Sequence, residues 1–294
     1  MAGTMKALRK VRAARGLQMD TVAVPSIGPT DVLVRVKTAS ICGTDLHIYG
    51  WDRWSQGRIK PPVTLGHEFC GTVERVGDEW RLDPAIPEHY GAILDPLGNA
   101  VHTVLAGSIA GQTVLVTGCG PIGLMAIAVA KACGSSTVFA TETNEKRRAM
   151  AKKMGADVVL NPATEDAVAK ILAETNGTGV DALLEMSGNP MAIQQGFKAL
   201  RAGGRASLLG IPTENVPLDL VNDVIFKGAT VQGIYGRRMY ETWVQMTSLL
   251  KAGRLNLEPL FGERAPLDKF ENAFTLLQGG MAGKILLYPN GMPR

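Results

Sequence analysis

Four side chains between positions 42 and 95 could together hold a metal ion. Cys42 offers a soft sulfur, His67 a borderline nitrogen, and Glu68 and Asp95 hard carboxylate oxygens. That mixture suits zinc, which in catalytic sites takes three protein ligands and keeps another position open for water or substrate. Spacing alone leaves the metal undecided. A lone cysteine is usually a small buried hydrophobe, and Asp95-Pro96 equally suits the opening of a turn or a helix.

A second chemistry is written between Gln112 and Glu142. The apolar run Thr113-Val-Leu-Val-Thr117 leads directly into Gly118-Cys-Gly120-Pro-Ile-Gly123. In a dinucleotide-binding turn the first glycine permits the bend and the second lets the backbone approach a pyrophosphate. The third lets the next helix pack close to the strand. Residues 121–133 are apolar almost all round, as a crossover helix on a sheet should be. The next β-type run ends in Glu142, where a carboxylate can accept both ribose hydroxyls. A glycine triplet alone is weak evidence, but strand, helix and terminal acid together point to a nucleotide. An acid at 142 would repel a 2′-phosphate by roughly 4 kcal/mol at about 4 Å and an effective dielectric near 20, so NAD is expected rather than NADP. Arg147, one helical turn on, could offset part of that repulsion by reaching an NADP phosphate, but is expected over the adenosine ribose or adenine.

These groups need two kinds of scaffold, and 294 residues suffice for two cores. From about residue 96 to 250 the chain repeats strand–helix units, with strands expected at 113–117, 136–141, 157–160, 180–186, 205–210 and 229–234. Helices are expected from Asn144 to Met154 and from Glu165 to Thr175. Six such strands imply a doubly wound parallel sheet. Residues before this region read as an all-β unit. Val32–Val36 is its clearest strand, entered through Gly28-Pro-Thr-Asp31, followed by a loop-rich stretch from Ile41 to Trp54 and a glycine-broken strand over 61–77. A helix at 240–252 leaves the sheet, and the β-type run Lys284–Tyr288 is expected to return to the N-terminal unit.

Composition narrows the partners. Hydrophobic residues make up 46% and charged residues 20%, ordinary for a soluble globular protein. The net charge of +4 is dispersed, without the basic block that nucleic acid calls for. No apolar run is long enough to span a membrane. The N-terminus lacks the apolar core of a signal peptide, and the four cysteines show no framework spacing, so the cytoplasm is expected.

The motifs Cys42-Gly-Thr-Asp-Leu-His47 and Gly66-His-Glu-Phe-Cys-Gly71 resemble the two zinc-ligand motifs of the zinc-dependent medium-chain alcohol dehydrogenases. The segments Ile41–Gln56, Asp95–Thr103, Glu185-Met-Ser-Gly188, Ile234-Tyr-Gly-Arg237 and Glu241-Thr-Trp243 resemble the threonine-oxidising branch of that family, over nearly the whole chain. The resemblance implies an α/β chain with a Rossmann domain over 96–252. A GroES-like β-rich catalytic domain, lacking a lobe, would be formed by 1–95 and 253–294. It further implies a homotetramer and L-threonine as the small-molecule substrate. Carried over, Cys42 and His67 would ligate zinc, with Glu68 and Asp95 as exchangeable carboxylate ligands. Thr44 would hydrogen-bond the substrate oxygen and His47 would relay its proton. Arg53 could pair the substrate carboxylate. Cofactor contacts would include Gly118, Gly120, Ile122, Gly123, Glu142, Arg147, Leu209, Ile211, Ile234 and Tyr235. His89, read in a loop, and His102, in a helix, are taken as structural.

The chain departs from the family between Gly77 and the Trp80-Arg-Leu-Asp-Pro segment, where members carry several tens of further residues, including a four-cysteine structural-zinc lobe. None of these is present, so a structural zinc is excluded. Deleting barrel strands exposes unpaired edges, and the expectation is that Glu79 and Trp80 are not true neighbours in the expressed protein. Three functions stay open at this level: a zinc-dependent threonine-oxidising dehydrogenase, a zinc-free NAD(P)H reductase, or a non-catalytic cofactor-binding protein.

Overall fold

A computed structural model describes residues 3–27, 31–75, 82–281 and 283–292. The Gly28–Thr30 approach and the Glu79–Trp80 junction lie outside the described residues. In chain order the first elements are β1 (Thr4–Lys10), β2 (Gln18–Ala23), β3 (Leu33–Ser40), α1 (Gly43–Gly50), α2 (Arg53–Gln56), β4 (Val63–Thr64) and β5 (Glu68–Arg75). Next come α3 (Glu88–Gly91), α4 (Leu94–Leu105), β6 (Thr113–Thr117), α5 (Pro121–Ala132), β7 (Thr137–Thr141), α6 (Glu145–Lys153), β8 (Val158–Leu160) and α7 (Ala167–Glu174). They are followed by β9 (Val180–Glu185), α8 (Pro190–Ala199), β10 (Leu200–Leu208), β11 (Thr230–Gly233) and α9 (Glu241–Lys251). The chain ends through β12 (Phe261–Pro266), α10 (Phe270–Gln278) and β13 (Lys284–Tyr288). No described helix is long and apolar enough to cross a membrane.

The chain divides into two compact units. The second comprises Asp95–Leu260 with Met281–Gly283. Its six strands are all parallel, in the order β11-β10-β9-β6-β7-β8. This is the doubly wound order, with the direction of winding reversing between β6 and β9. Helix α5 explains its own apolarity: Gly123 through Ala130 are all buried. Asn144, Asp166 and Asn189 cap α6, α7 and α8, each side chain accepting from a first-turn N–H. Residues 253–260, expected with the catalytic domain, belong here, because Leu255, Leu257 and Leu260 bury their side chains.

The first unit comprises Met1–Leu94, Phe261–Gly280 and Lys284–Arg294. It holds a three-stranded sheet, β2-β1-β4, and a four-stranded sheet, β12-β13-β3-β5. The C-terminal strand returns to this unit, pairing antiparallel with β3. The unit is not all-β. The stretch read as loop-rich contains α1 and α2, and His89 sits in the single turn of α3 rather than in a loop. Helix α1 escaped notice because it is eight residues long and begins and ends in glycine, a poor helix former. The expected glycine-broken strand becomes β4 and β5, interrupted at Gly66, whose φ of +107° favours glycine.

Register in the four-stranded sheet brings Ser40 opposite both Glu68 and Leu286. It thereby packs the Lys284 ammonium against the Glu68 carboxylate at 2.5 Å, with side chains only 4% and 1% exposed. Ser40 Oγ donates to the same oxygen, and Lys284 also donates to the Ile41 carbonyl. Removing one partner of a buried ion pair strands the other charge. Lys284→Met should therefore cost about 3–5 kcal/mol of stability, most of it recovered in Lys284→Met/Glu68→Gln. Urea denaturation of both variants measures this; equal losses in the single and double variants would contradict it.

Candidate active site and nucleotide cleft

Helix α1 is held by its N-cap. The Cys42 N–H donates to Asp45 Oδ2 at 2.9 Å, and the Cys42 side chain in turn meets the N–H of Asp45, closing a reciprocal cap. The cap fixes the Cys42 thiol at the mouth of the helix. His67 and Glu68 arrive at the start of β5. The Cys42 sulfur, a His67 ring nitrogen and a Glu68 oxygen all lie within 4.8 Å of one another. Among the described residues this is the donor group that forms, and its S, N and O chemistry fits zinc.

Two further observations bear on that fit. Asp45 is buried, its Oδ1 has no hydrogen-bond partner, and that oxygen stands 3.9 Å from His67 Nδ1. A carboxylate beside the second nitrogen of a histidine is the usual means of orienting a metal-ligating ring. Burial pushes the Asp45 carboxyl upward against the opposing hydrogen bond from the Cys42 amide. Glu68 also arrives with its charge balanced, both Lys284 and Ser40 falling on Oε2.

Asp95 belongs to the other unit. It lies in the first turn of α4 and forms an ion pair with Arg237, whose guanidinium stacks 5.7 Å from the Trp243 ring. His102, in the same helix, donates from Nδ1 to the Gly236 carbonyl, 2.8 Å away.

Thr44 and His47 are one turn apart on α1 and so share a face. Thr44 is half-buried and His47 exposed. Asp52, the N-cap of α2, pairs with His47 Nδ1, and the Trp54 ring lies 5.8 Å from the imidazole. Arg53 is exposed at the first position of α2.

Gly118 has φ +85°, and a Cβ there would meet Ser187 at 2.8 Å. A Cβ on Gly123 would lie 2.0 Å from the Gly118 carbonyl, so only glycine allows α5 to seat on the strand. At Gly120 a Cβ would meet nothing, leaving open space at the N-cap of α5. That space, beside the free N–H groups of a helix start, fits a phosphate. Glu142 Oε2 accepts the Cys119 N–H and Oε1 the Asn144 N–H, both at 2.9 Å, which fixes the carboxylate at the rim.

A cleft of about 740 Å³ opens here, lined by Gly118, Gly120, Glu142, Arg147, Met186 and Ser187 among others. Ile122 and Gly123 lie in the first turn of α5. Leu209 and Ile211 follow β10, and Ile234 and Tyr235 follow β11; none of the four lines this cleft. Ile211 and Tyr235 are 77% and 97% exposed, whereas Ile234 is buried. The wall formed by Met186, Ser187 and the start of α8 went unassigned in the sequence, although Glu185-Met-Ser-Gly188 stands out there as a motif. The missing signal was strand order, which alone shows that β9 neighbours β6.

The hydrogen bond to Cys42, with the charges of Cys42, Asp45 and Glu68, raises the His67 pKa from 6.5 to about 9 against the effect of burial. In the metal-free protein this contribution to stability is complete below pH 6.5 and is lost as pH rises through about 9. A metal must displace that proton. Zinc binding near pH 7 should release it, and affinity should climb toward pH 9. Titration calorimetry in buffers of different ionisation enthalpy reads this; an enthalpy independent of buffer would contradict it.

Family models describing an alcohol dehydrogenase GroES-like domain and a zinc-binding dehydrogenase match residues 28–85 and 121–252. The chain is 43% identical to an L-threonine 3-dehydrogenase of Symbiobacterium thermophilum over 348 aligned positions, covering 99% of both chains. An enzyme of the same name from Bacillus subtilis is 40% identical, with 98% and 99% covered. With 348 aligned positions against 294 residues, the first relative carries several tens of residues that this chain lacks. Among solved structures, 2R,3R-butanediol dehydrogenase from Bacillus subtilis superposes with a TM-score of 0.86 at 26% identity, covering 97% of this chain and all of that one. With its nucleotide turn, its sulfur–nitrogen–oxygen donor group and these relatives, the chain belongs to the zinc-dependent medium-chain alcohol dehydrogenase family.

Proposed function

We propose that the protein oxidises the secondary hydroxyl of L-threonine, or of a close β-hydroxy amino acid, with NAD as hydride acceptor. The product from threonine is 2-amino-3-oxobutanoate. The observation that carries this reading is the convergence of the Cys42, His67 and Glu68 donors at the N-cap of the helix that bears Thr44 and His47. The names of the relatives support the choice of substrate.

Zinc, when bound, supplies Lewis acidity that lowers the pKa of the substrate hydroxyl. Cys42 and His67 would hold it, with Glu68 as an exchangeable ligand. The Thr44 hydroxyl takes a hydrogen bond from the reacting hydroxyl and passes its proton toward His47. Asp52 fixes the His47 ring through Nδ1, and the ring is exposed, so the proton can leave to solvent. NAD, held at the Gly118–Gly120 turn and by Glu142, would supply the hydride acceptor that leaves the substrate carbon as a ketone.

We infer further that the protein is a homo-oligomer, a homotetramer in the family pattern. Strand β11 forms the open edge of the parallel sheet and exposes Val231, close in sequence to exposed Phe226 and Tyr235. An unpaired apolar edge invites a second copy. Mass in solution by light scattering tests it.

Turnover of threonine should exceed that of simple secondary alcohols and should be abolished in Cys42→Ser, which retains NADH binding because the nucleotide cleft lies in the other unit. Faster turnover of 2-butanol than of threonine would overturn the substrate. For the cofactor, Glu142 and Arg147 both line the cleft, and repulsion of a 2′-phosphate by the Glu142 carboxylate of roughly 4 kcal/mol, offset in part by Arg147, predicts at least about a hundredfold higher kcat/KM with NAD than with NADP. Parity between the two would contradict that role.

A further inference from the structure

We propose that Glu185 is a positioning residue for the dinucleotide, its buried carboxylate holding in register the two loops that diverge where the sheet reverses direction. This rests on the reading of the cleft beside Gly118 and Glu142 as the nucleotide site.

In a doubly wound sheet, ligands bind beyond the carboxyl ends of the strands at the switch point. Here that point lies between β6 and β9, whose last residues, Thr117 and Glu185, are direct partners in the ladder. Glu185 is 0% exposed and has no cation among its hydrogen-bond partners. A carboxylate so placed must be satisfied by neutral donors, and the donors it uses come from both loops.

On the β6 side, Thr117 Oγ1 donates to Oε1 at 3.3 Å. On the β9 side, the Ser187 N–H donates at 2.8 Å, the Ser187 hydroxyl donates, and the Gly188 N–H donates at 3.0 Å, all to that same oxygen. The Gly188 N–H also reaches Oε2 at 3.3 Å. The strut then extends outward. Ser187 Oγ accepts the Asn189 N–H at 3.0 Å, and Asn189 Oδ1 caps α8 through the N–H groups of Met191 and Ala192. The residues thus anchored, Gly118, Met186, Ser187, Asn189, Met191 and Ala192, are cleft-lining residues.

The packing around the strut leaves it no slack. Besides the 2.8 Å approach of Ser187 to any Cβ on Gly118, a Cβ on Gly210 would lie 2.4 Å from Glu185 Oε2. The end of β10 therefore closes over the carboxylate, while the Leu209 and Gly210 N–H groups bond the Glu185 carbonyl at 2.9 and 3.0 Å. One residue consequently ties the ends of three strands to the walls of one cleft. A core filler would need none of these bonds, and a lone structural carboxylate would not direct them into cofactor-facing loops.

The test measures NADH affinity by fluorescence, with melting temperature and zinc content in parallel, on the intact protein and on Glu185→Gln and Ser187→Ala. The Gln variant keeps the shape but turns an N–H toward Gly188; it should weaken NADH about tenfold, the cost of an unmet buried donor. Its zinc content should be unchanged, and the KM for cofactor should rise while the KM for the alcohol stays. Ser187→Ala should weaken NADH about threefold by removing only the outward relay. NADH affinity within twofold of the parent in Glu185→Gln, whatever its melting temperature, would overturn the proposal. If that variant does not fold, unchanged affinity in Ser187→Ala overturns it instead. Failure of the parent protein to bind NADH would reject the nucleotide reading itself, and this inference with it.

Discussion

A carboxylate removed from water must be given its donors by the fold, and three buried glutamates impose that constraint on this chain. Glu68 meets it with an ammonium and a hydroxyl, Lys284 and Ser40. Glu142 meets it with the backbone N–H groups of Cys119 and Asn144. Glu185 draws on a threonine, a serine and two loop amides. Leaving such a group unmet costs kilocalories (about 1–3 for a neutral partner and more for a charge), so each site admits few backbone arrangements. The candidate metal donors are held in this way in the first unit, and the nucleotide turn in the second.

The three solutions differ in what they leave available. With Lys284 on Oε2, Glu68 is neutralised without a metal, so the donor group can exist before zinc arrives and Glu68 can be an exchangeable ligand rather than a fixed one. Asp95, in the other unit, is paired with Arg237. Glu142 accepts one N–H on Oε2, and on Oε1 one N–H with a longer 3.5 Å contact from Thr143 Oγ1, and a carboxylate so bonded retains lone pairs for ribose hydroxyls. Glu185 instead sits where Gly188 and Gly210 crowd its second oxygen, and its work is to hold loops.

What the sequence made legible follows physical range. The glycine turn, the capped helices and the six strands depend on neighbours a few residues away, and they appear close to where local pattern places them, except that β10 starts five residues before the expected 205, at Leu200. Cys42 and His67 could be read through two short motifs. Glu68 could be named, but its partner Lys284 lies 216 positions on and is joined to it only by the pairing of β13 with β3. Helices α1 and α2 were hidden because their stability comes from the Cys42–Asp45 and Asp52–Ser55 caps, not from helix propensity. The role of Glu185 was hidden for a related reason: it depends on β9 lying beside β6, a fact of strand order. The 253–260 segment joined the nucleotide unit because three leucines found burial there, which alternating polarity did not announce.

The central claim is that Cys42, His67 and a carboxylate hold one catalytic zinc. Zinc K-edge absorption on the purified protein, with metal counted per chain, tests it most directly. The account predicts one zinc per chain with a single sulfur neighbour near about 2.3 Å and nitrogen and oxygen neighbours near about 2.0–2.2 Å. A coordination shell with several sulfurs, or a shell unchanged in Cys42→Ser, would contradict it.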